Sequence, residues 1–202
     1  IAYLIGSINF SVILSKKMAG FDVREKGSGN AGSTNMLRSV GKKAAAITLI
    51  CDVLKGVVAI IIAIILGNIF NDSNKELLLQ IAGIAVVLGH TFPIFFGFKG
   101  GKGIATSLGI LLMTNWQIGL ICLVFALVLM AITRMVSVGS IAAAILFPVL
   151  VIFIDQNYIV PDANNWKYLI FSIVLCLIVL FNHRENIKRI LNGTENKISF
   201  KK

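Results

Sequence analysis

The sequence has few acidic residues, with nine Asp and Glu against 19 Lys and Arg among 202 residues. Charged residues of both signs make up only 14% of the chain, and the mean hydropathy is +0.89, which excludes an ordinary soluble domain. A net charge of +10 would suit a nucleic-acid-binding protein only with a water-exposed basic face, and most of this chain favours hydrocarbon. We therefore expect a membrane protein that binds no nucleic acid.

Cysteine is also scarce. Cys51, Cys122 and Cys176 stand singly in apolar segments, without CxxC spacing or a nearby histidine. This pattern excludes a disulfide framework and the usual zinc sites, so we interpret all three as packing residues. We expect neither a metal nor a cofactor.

Long apolar runs dominate the chain instead. Those long enough to cross a bilayer fall at about 1–18, 44–66, 77–96, 117–133, 136–154 and 167–182. Another run, 104–115, is short for a bilayer and is either a short span or a re-entrant segment. The predicted fold is an all-α polytopic membrane protein, a single domain over 1–202 with about seven transmembrane helices.

The basic residues indicate how these helices cross the membrane. With seven spans and the N-terminus outside, one face collects sixteen of the nineteen Lys and Arg. By the positive-inside rule, that face is cytoplasmic and carries the C-terminus. A five-span alternative, with 104–133 at the surface or re-entrant, keeps the same sidedness. Every motif discussed below is then cytoplasmic.

The most polar stretch is 27–35, which reads Gly-Ser-Gly-Asn-Ala-Gly-Ser-Thr-Asn, with Arg38 one turn later. Closely spaced glycines let backbone N–H groups converge, and the short polar side chains add neutral donors, which suits a phosphate. Ser33 or Thr34 is expected to cap the helix that follows. The stretch is not a dinucleotide motif, because the preceding segment is too polar for a buried strand. Nor is it a P-loop, because Ser33 stands where the lysine must be. A flexible turn between two helices is the structural alternative.

A second glycine-rich turn, Lys99-Gly100-Gly101-Lys102-Gly103, carries two cations and opens a helix. The lysines and the helix N-terminus would both attract an anion. An ordinary positive-inside loop would explain the lysines but not three glycines within four residues.

Ionisable residues also occur inside the apolar runs. Asp52 and Lys55 share a helical face, and each would cost about 2.5–3.5 kcal/mol near the bilayer centre if unpaired. We predict that they pair inside the bundle, with a direct part in the site as the less favoured alternative. For His90, a core role and a functional role both stay open.

Further polar side chains occur near the ends of later spans. Ser137 and Ser140 lie three residues apart at the start of one span, which fits either small-residue packing or a site. The last span delivers Asn182 and His183 to the cytoplasmic interface. A basic amphipathic stretch that merely rests on anionic lipid would not need Asn182 or Glu185.

Taken with His183-Arg184-Glu185-Asn186-Ile187, the stretches 27–35 and 98–106 resemble the three motifs of the bacterial acyl-phosphate:glycerol-3-phosphate acyltransferases. The motifs occur in family order, at similar distances, over nearly the whole chain. The resemblance implies transfer of an acyl group from acyl phosphate to the 1-hydroxyl of sn-glycerol 3-phosphate, in the first acylation of phospholipid synthesis. The products would be lysophosphatidic acid and inorganic phosphate. It also implies a multi-pass, monomeric protein of the bacterial plasma membrane with its active site facing the cytoplasm.

The resemblance also implies roles for individual residues. The Ser28–Asn35 loop would hold the acyl-phosphate group, with Thr34 and Asn35 among its donors. The residues expected around the acceptor phosphate are Arg38, Lys102, Asn182 and His183. Ser137 and Ser140 are expected near the reacting carbonyl. The catalytic set is His183, Lys102, Asn182, Ser137 and Ser140. The substrate-binding set is Ser28, Gly29, Asn30, Gly32, Ser33, Thr34, Asn35, Arg38, His90, Gly100, Gly101, Thr106 and Glu185.

The base for the hydroxyl proton is left open. Acyltransferases that use thioesters carry His-x4-Asp, but here Phe95 and Lys188 stand five residues after the two histidines. The candidates are His183, His90 and a substrate phosphate oxygen, with His183 and the phosphate favoured. A transporter of small organic phosphates is the alternative from another functional class.

Overall fold

The computed structural model describes residues 1–70, 74–154 and 165–198. Within these ranges it contains α-helices, two short 3₁₀ turns and no strand, so the all-α prediction is confirmed. The helices are α1 (Ala2–Gly6), α2 (Phe10–Ala19), α3 (Ser33–Ser39), α4 (Lys42–Ile69), α5 (Lys75–Thr91), α6 (Ile104–Thr114), α7 (Trp116–Thr133), α8 (Val136–Phe153), α9 (Asn165–Asn182) and α10 (Arg184–Leu191). The 3₁₀ turns are Val23–Glu25 and Ile94–Phe96. The helices fall into two compact units, Ile1–Thr114 and Asn115–Lys202.

Four helical segments within the described ranges are long and apolar enough to cross a membrane: Lys42–Ile69, Lys75–Phe96, Trp116–Thr133 and Val136–Phe153. A fifth results if α9 and α10, which are bent by 62°, count as one span. α6 is apolar but has only 11 residues, in agreement with the predicted short or re-entrant segment. The predicted count of about seven spans is not confirmed, and the orientation of the termini stays a prediction.

The first apolar run differs most from the prediction, because 1–18 is not one helix. It is divided into α1 and α2 by the segment 7–9. The Asn9 side chain causes α2 to begin afresh, since its Oδ1 accepts from Val12 N at 3.2 Å and from Ser11 Oγ at 2.7 Å. Asn9 is thus the N-cap of α2, and it fixes where α2 starts whatever the hydropathy of the run.

Glycines bring the helices of the first unit into close contact. A methyl group on Gly56 of α4 would collide with the Thr106 carbonyl, and one on Gly109 of α6 would collide with the Val53 carbonyl. Small residues of this kind let helix backbones approach each other in a membrane. The start of α6 is thereby held against the middle of α4.

The second unit packs α7, α8 and α9 in sequence. Gly139 of α8 lies against the Ala126 carbonyl of α7. Phe147 of α8 makes edge contacts with Tyr168 and Phe171 of α9, with ring centroids 5.9 and 6.3 Å apart. After α10 the chain returns to the start of α8, where the N–H of Ile198 donates to the Arg134 carbonyl at 2.7 Å. Residues 192–198 therefore pack as part of this unit.

Candidate active site

Asn35 holds together the first glycine loop, residues 27–35. Its Nδ2 donates to the carbonyls of Val23 at 2.8 Å and Lys26 at 3.0 Å, and its Oδ1 accepts from Ser28 N at 2.9 Å. Gly27 has a φ of +58° and leaves no room for a methyl group beside Asn35 Oδ1. The side-chain amide of Asn35 is thus engaged within the loop, and its expected donation to a phosphate stays a prediction.

The first loop leads into α3 without a side-chain cap. Gly32 occupies the N-cap position and α3 begins at Ser33, so the prediction that Ser33 or Thr34 caps the helix was wrong. The accessible residues lie along the loop and one turn beyond it: Ser28, Gly29 and Arg38 are exposed, and Asn30, Gly32, Ser33 and Thr34 are half-buried. These side chains remain open to a ligand.

The second glycine loop, residues 99–103, folds back onto the end of α5. The N–H of Gly100 donates to the Thr91 carbonyl at 3.0 Å, and that of Gly101 to the His90 carbonyl at 3.1 Å. A methyl group on either glycine would collide with His90. The N–H groups of Gly100 and Gly101 thus fasten the loop to α5, and their expected part in substrate binding stays a prediction. Lys99 is exposed and Lys102 half-buried.

The two glycine loops meet. Gly101 packs so closely against the Ala31 carbonyl of the first loop that a methyl group on it would lie 2.6 Å from that oxygen. Arg24, just before the first loop, donates through Nη1 to the carbonyls of Phe96 at 2.7 Å and Lys99 at 3.1 Å. The two glycine loops are therefore in direct contact through their backbones.

A buried cluster of ionisable side chains lies behind the second loop. Lys55 Nζ is 2.9 Å from Asp52 Oδ1 and 2.6 Å from His90 Nδ1, and each of the three residues is at most 5% exposed. The predicted internal pairing of Asp52 and Lys55 is thus confirmed. His90 was expected to bind substrate, but the structure places its ring inside this cluster, with Nε2 against Gly101.

Lys55 also stabilises the interruption between α1 and α2. Its Nζ donates to the carbonyls of Gly6 at 3.2 Å and Ile8 at 3.3 Å. The ammonium group supplies donors to carbonyls that the broken helix leaves without intrahelical partners.

Thr106 is the other predicted substrate-binding residue that the structure places in the interior. It is 0% exposed, and its carbonyl lies against Gly56 of α4. Its Oγ1 has no hydrogen-bond partner within the described part of the chain. Helix α6 therefore turns this side chain into the protein, and its expected part in substrate binding stays a prediction.

In the second unit, His183 follows the last residue of α9 and is 3% exposed. Its Nδ1 lies 2.8 Å from the Val179 carbonyl. Because a carbonyl only accepts hydrogen bonds, Nδ1 carries a proton, and a neutral ring would then be the Nδ1–H tautomer. This tautomer is the one needed if Nε2 is to take a proton from a substrate.

Glu195 connects the C-terminal segment to α8 and α10. Its Oε1 accepts from Ser137 Oγ at 2.9 Å and Asn186 Nδ2 at 2.8 Å, and its Oε2 accepts from Arg189 Nε at 2.8 Å. Burial raises the pKa of this carboxyl, but the hydrogen bonds from Asn186, Ser137 and Arg189 outweigh it and hold the pKa below its ordinary value. Ser137 therefore donates a hydrogen bond to this carboxylate. Its expected place near the reacting carbonyl stays a prediction.

The remaining predicted residues of this unit differ in burial. Ser140 lies one turn after Ser137 and is buried, and Asn182 is half-buried at the end of α9. Glu185 is exposed and forms a 3.4 Å surface ion pair with Lys188. The expectation that Glu185 binds substrate stays a prediction.

The chain matches the family profile of glycerol-3-phosphate acyltransferase over residues 1–193. It belongs to the glycerol-3-phosphate acyltransferase family. The glycerol-3-phosphate acyltransferase of Clostridioides difficile (strain 630) is 45% identical over 202 residues, which are 100% of this chain and 94% of the relative. The resemblance inferred from the three motifs is confirmed.

A solved structure supports the same conclusion. The crystal structure of PlsY (YgiH), an integral membrane glycerol 3-phosphate acyltransferase, in its glycerol 3-phosphate form has a TM-score of 0.84 at 38% identity. The match covers 98% of this chain and 92% of that one. The lysophosphatidic acid form has a TM-score of 0.82 at 36% identity, with the same coverage. The chain is thus a multi-pass membrane acyltransferase, and this decides against the transporter alternative.

Three residues of this acyltransferase that organise the candidate site were missed from the sequence: Arg24, Asn186 and Glu195. Asn186 lies three residues after His183, a spacing that shares a helical face and could have drawn attention to it. Arg24 and Glu195 gave no such signal, because the contacts that tie them to other segments are with the Phe96 carbonyl and with Ser137, both distant in sequence.

Proposed function

We propose that this acyltransferase moves an acyl group from acyl phosphate to the 1-hydroxyl of sn-glycerol 3-phosphate. The products are lysophosphatidic acid and inorganic phosphate. The observation that carries the proposal is the meeting of two glycine loops, one rich in neutral donors and one bearing Lys99 and Lys102, with no acidic residue in either. The glycerol 3-phosphate and lysophosphatidic acid forms of PlsY support the acceptor and the product.

The chemistry suits these residues. The acceptor oxygen attacks the acyl carbonyl, the bond between that carbon and the phosphate oxygen breaks, and phosphate leaves with its electron pair. Donors of the first loop, with Ser28 and Thr34 among them, hold the acyl-phosphate group. Lys102 and Arg38 stabilise the negative charge on the phosphate of the acceptor, glycerol 3-phosphate. Neither a metal nor a covalent intermediate is needed, since the donor is already activated and much of the acceleration comes from alignment.

A base is needed for the hydroxyl proton, and His183 is one candidate. Its Nδ1 donates to the Val179 carbonyl, so Nε2 is the ring nitrogen proposed to take the proton. A phosphate oxygen of the substrate is the other acceptor, in which case His183 orients the hydroxyl. Asn182 and Ser140 assist in positioning, and Ser137 does so through its bond to Glu195.

We further propose that the reaction takes place on the cytoplasmic side of a bacterial plasma membrane and that a monomer is sufficient. The asymmetry of the basic residues supports this sidedness. The acceptor is a charged, water-soluble metabolite, so the site must open to an aqueous compartment. Convergence of the third motif with the two glycine loops stays a prediction.

The donor is tested with purified protein in detergent, given glycerol 3-phosphate with either acyl phosphate or an acyl-thioester. Acyl phosphate should give lysophosphatidic acid and phosphate in equal amounts, and the thioester should give neither. Turnover with the thioester alone would contradict the proposed donor, while the family assignment would stand.

A further inference from the structure

We propose that Arg24 is a positioning residue for acyl transfer. It holds the second glycine loop, which carries Lys102, against the first glycine loop. This inference rests on the proposed part of Lys102 in holding phosphate. Arg24 lies in the 3₁₀ turn Val23–Glu25, outside both glycine loops.

One side of the guanidinium holds the segment that leads to Lys102. Nη1 donates to the carbonyl of Phe96 at 2.7 Å and to that of Lys99 at 3.1 Å. The two carbonyls enclose Gly97 and Phe98, the last residues before the second loop, so a single side chain is bonded on both sides of this dipeptide. The loop's own bonds, from Gly100 and Gly101 to the end of α5, begin directly after Lys99.

The other side of the guanidinium is fixed by Asp22. Nε and Nη2 donate to its Oδ1 and Oδ2 at 3.0 and 2.8 Å, and the N–H of Arg24 donates to Oδ1 at 3.0 Å. These hydrogen bonds lower the pKa of Asp22 and raise that of Arg24 against the opposing effect of burial, so both are charged at working pH. The Asp22 side chain is only 9% exposed, and its one further cation is Lys16 at 3.7 Å. A bidentate pair of this kind fixes the plane of the guanidinium.

The turn that carries Arg24 is itself tied to the first glycine loop. Asn35 Nδ2 donates to the carbonyl of Val23, the residue next to Arg24. The same amide group holds Lys26 and Ser28, so Asn35 ties the 3₁₀ turn to the loop. Asn35 is therefore linked to Lys99 through its hydrogen bond to Val23, the peptide bond between Val23 and Arg24, and the hydrogen bond from Arg24 to the Lys99 carbonyl.

Lysine cannot replace this arrangement. A guanidinium has five donors in a rigid plane, which serve a carboxylate on one edge and carbonyls on another. An ammonium group has three donors at one point and would have to abandon either Asp22 or the carbonyls of Phe96 and Lys99. Arg24→Lys keeps the positive charge but loses the planar arrangement of donors. It therefore distinguishes an effect of loop position from an effect of charge.

The test compares Arg24→Lys and Arg24→Ala with Lys17→Gln, an exposed lysine of α2, in detergent-purified protein. We expect kcat to fall about 10- to 100-fold in Arg24→Lys, because a displacement of about 1 Å costs that much, with KM for acyl phosphate changed less than about threefold. Added methylguanidinium should partly restore Arg24→Ala. Lys17→Gln should match the wild type.

A double variant with Lys102→Ala links the effect to that lysine. If Arg24 acts through Lys102, Arg24→Lys should add little further loss in the Lys102→Ala background. Losses that multiply would overturn the proposal. So would wild-type kinetic constants in a folded Arg24→Lys variant.

Hydrogen exchange of the amides of residues 97–103 measures how firmly the loop is held, independently of turnover. Faster exchange in Arg24→Lys than in Lys17→Gln supports the proposal, and unchanged exchange overturns it. If Lys102→Ala keeps wild-type turnover, the proposed function of Lys102 fails on its own, while the exchange result still decides whether Arg24 positions the loop. Should Arg24→Ala not fold, Asp22→Asn, which weakens the bidentate pair, replaces it and should lower kcat by a smaller factor.

Discussion

The Nζ of Lys55 lies 2.6 Å from the Nδ1 of His90 in the interior of the first unit. An ammonium group only donates, so Nδ1 accepts a hydrogen bond from Lys55. The main-chain carbonyl of the same histidine receives the N–H of Gly101. The buried cluster and the second glycine loop are therefore connected through one residue.

Lys55→Met should lower the free energy of unfolding by about 3–5 kcal/mol, because it leaves the buried carboxylate of Asp52 without its cation. Thermal unfolding in detergent, followed by tryptophan fluorescence, measures the effect. Lys43→Met, an exposed lysine on the same helix, is the matched control and should change Tm little. Equal Tm values for the two variants would show that the cluster contributes nothing to stability.

Lys102→Ala should nearly abolish turnover, whereas Lys99→Ala should be milder. Lys102 stands two residues before α6, where its charge and the helix N-terminus act on the same phosphate. Phosphate release at saturating acyl phosphate gives the comparison. Wild-type activity in Lys102→Ala would remove this residue from the mechanism.

Substitution of His183 distinguishes the two proton acceptors. If His183 Nε2 is the base, His183→Asn and His183→Ala should both lower kcat by about 10²–10⁴-fold. If a phosphate oxygen takes the proton, His183→Asn should retain measurable turnover and lose less than His183→Ala. The pH profile adds a second criterion: an acidic limb that persists in His183→Asn belongs to the substrate, whose second pKa is about 6.

Glu195→Gln should lower stability by about 1.5–3 kcal/mol at neutral pH, because it loses charge-assisted hydrogen bonds from its partners, Arg189 among them. Since the folded-state pKa of Glu195 is lowered, its contribution is complete above its unfolded pKa and is lost as pH falls through the folded value. Wild-type Tm should therefore fall below about pH 4.3, and Glu195→Gln should show a flatter decline. Glu185→Gln, which alters only an exposed ion pair, should follow the wild type. A wild-type slope in Glu195→Gln would contradict this account.

The long apolar runs predicted α4, α5, α7 and α8 because a membrane span needs little beyond length and hydropathy. They did not predict the division of 1–18. That division depends on the side chain of Asn9, and on a lysine 49 positions from Gly6 that satisfies the freed carbonyls. A hydropathy average over the run detects neither the Asn9 cap nor the distant lysine.

The site was predicted at the level of segments rather than side chains. Closely spaced glycines correctly indicated two special loops, but not which way their N–H groups would point. The N–H groups of Gly100 and Gly101 turn to the end of α5, and Asn35 turns to its own loop. Glu195 was missed because a carboxylate in a basic tail is an ordinary solvated residue until the tail folds back onto Ser137.

The Asp52–Lys55 pair also bears on how the protein enters the membrane. Both residues belong to α4 and are three positions apart, so they can neutralise each other as soon as that helix forms. Helix α4 can therefore leave the translocation machinery as a span without net buried charge, before α5 has been synthesised. The Gly6 and Ile8 carbonyls precede α4 in the chain and are already available to the ammonium group. His90 joins last, so the order of synthesis matches the order in which these charges acquire their partners.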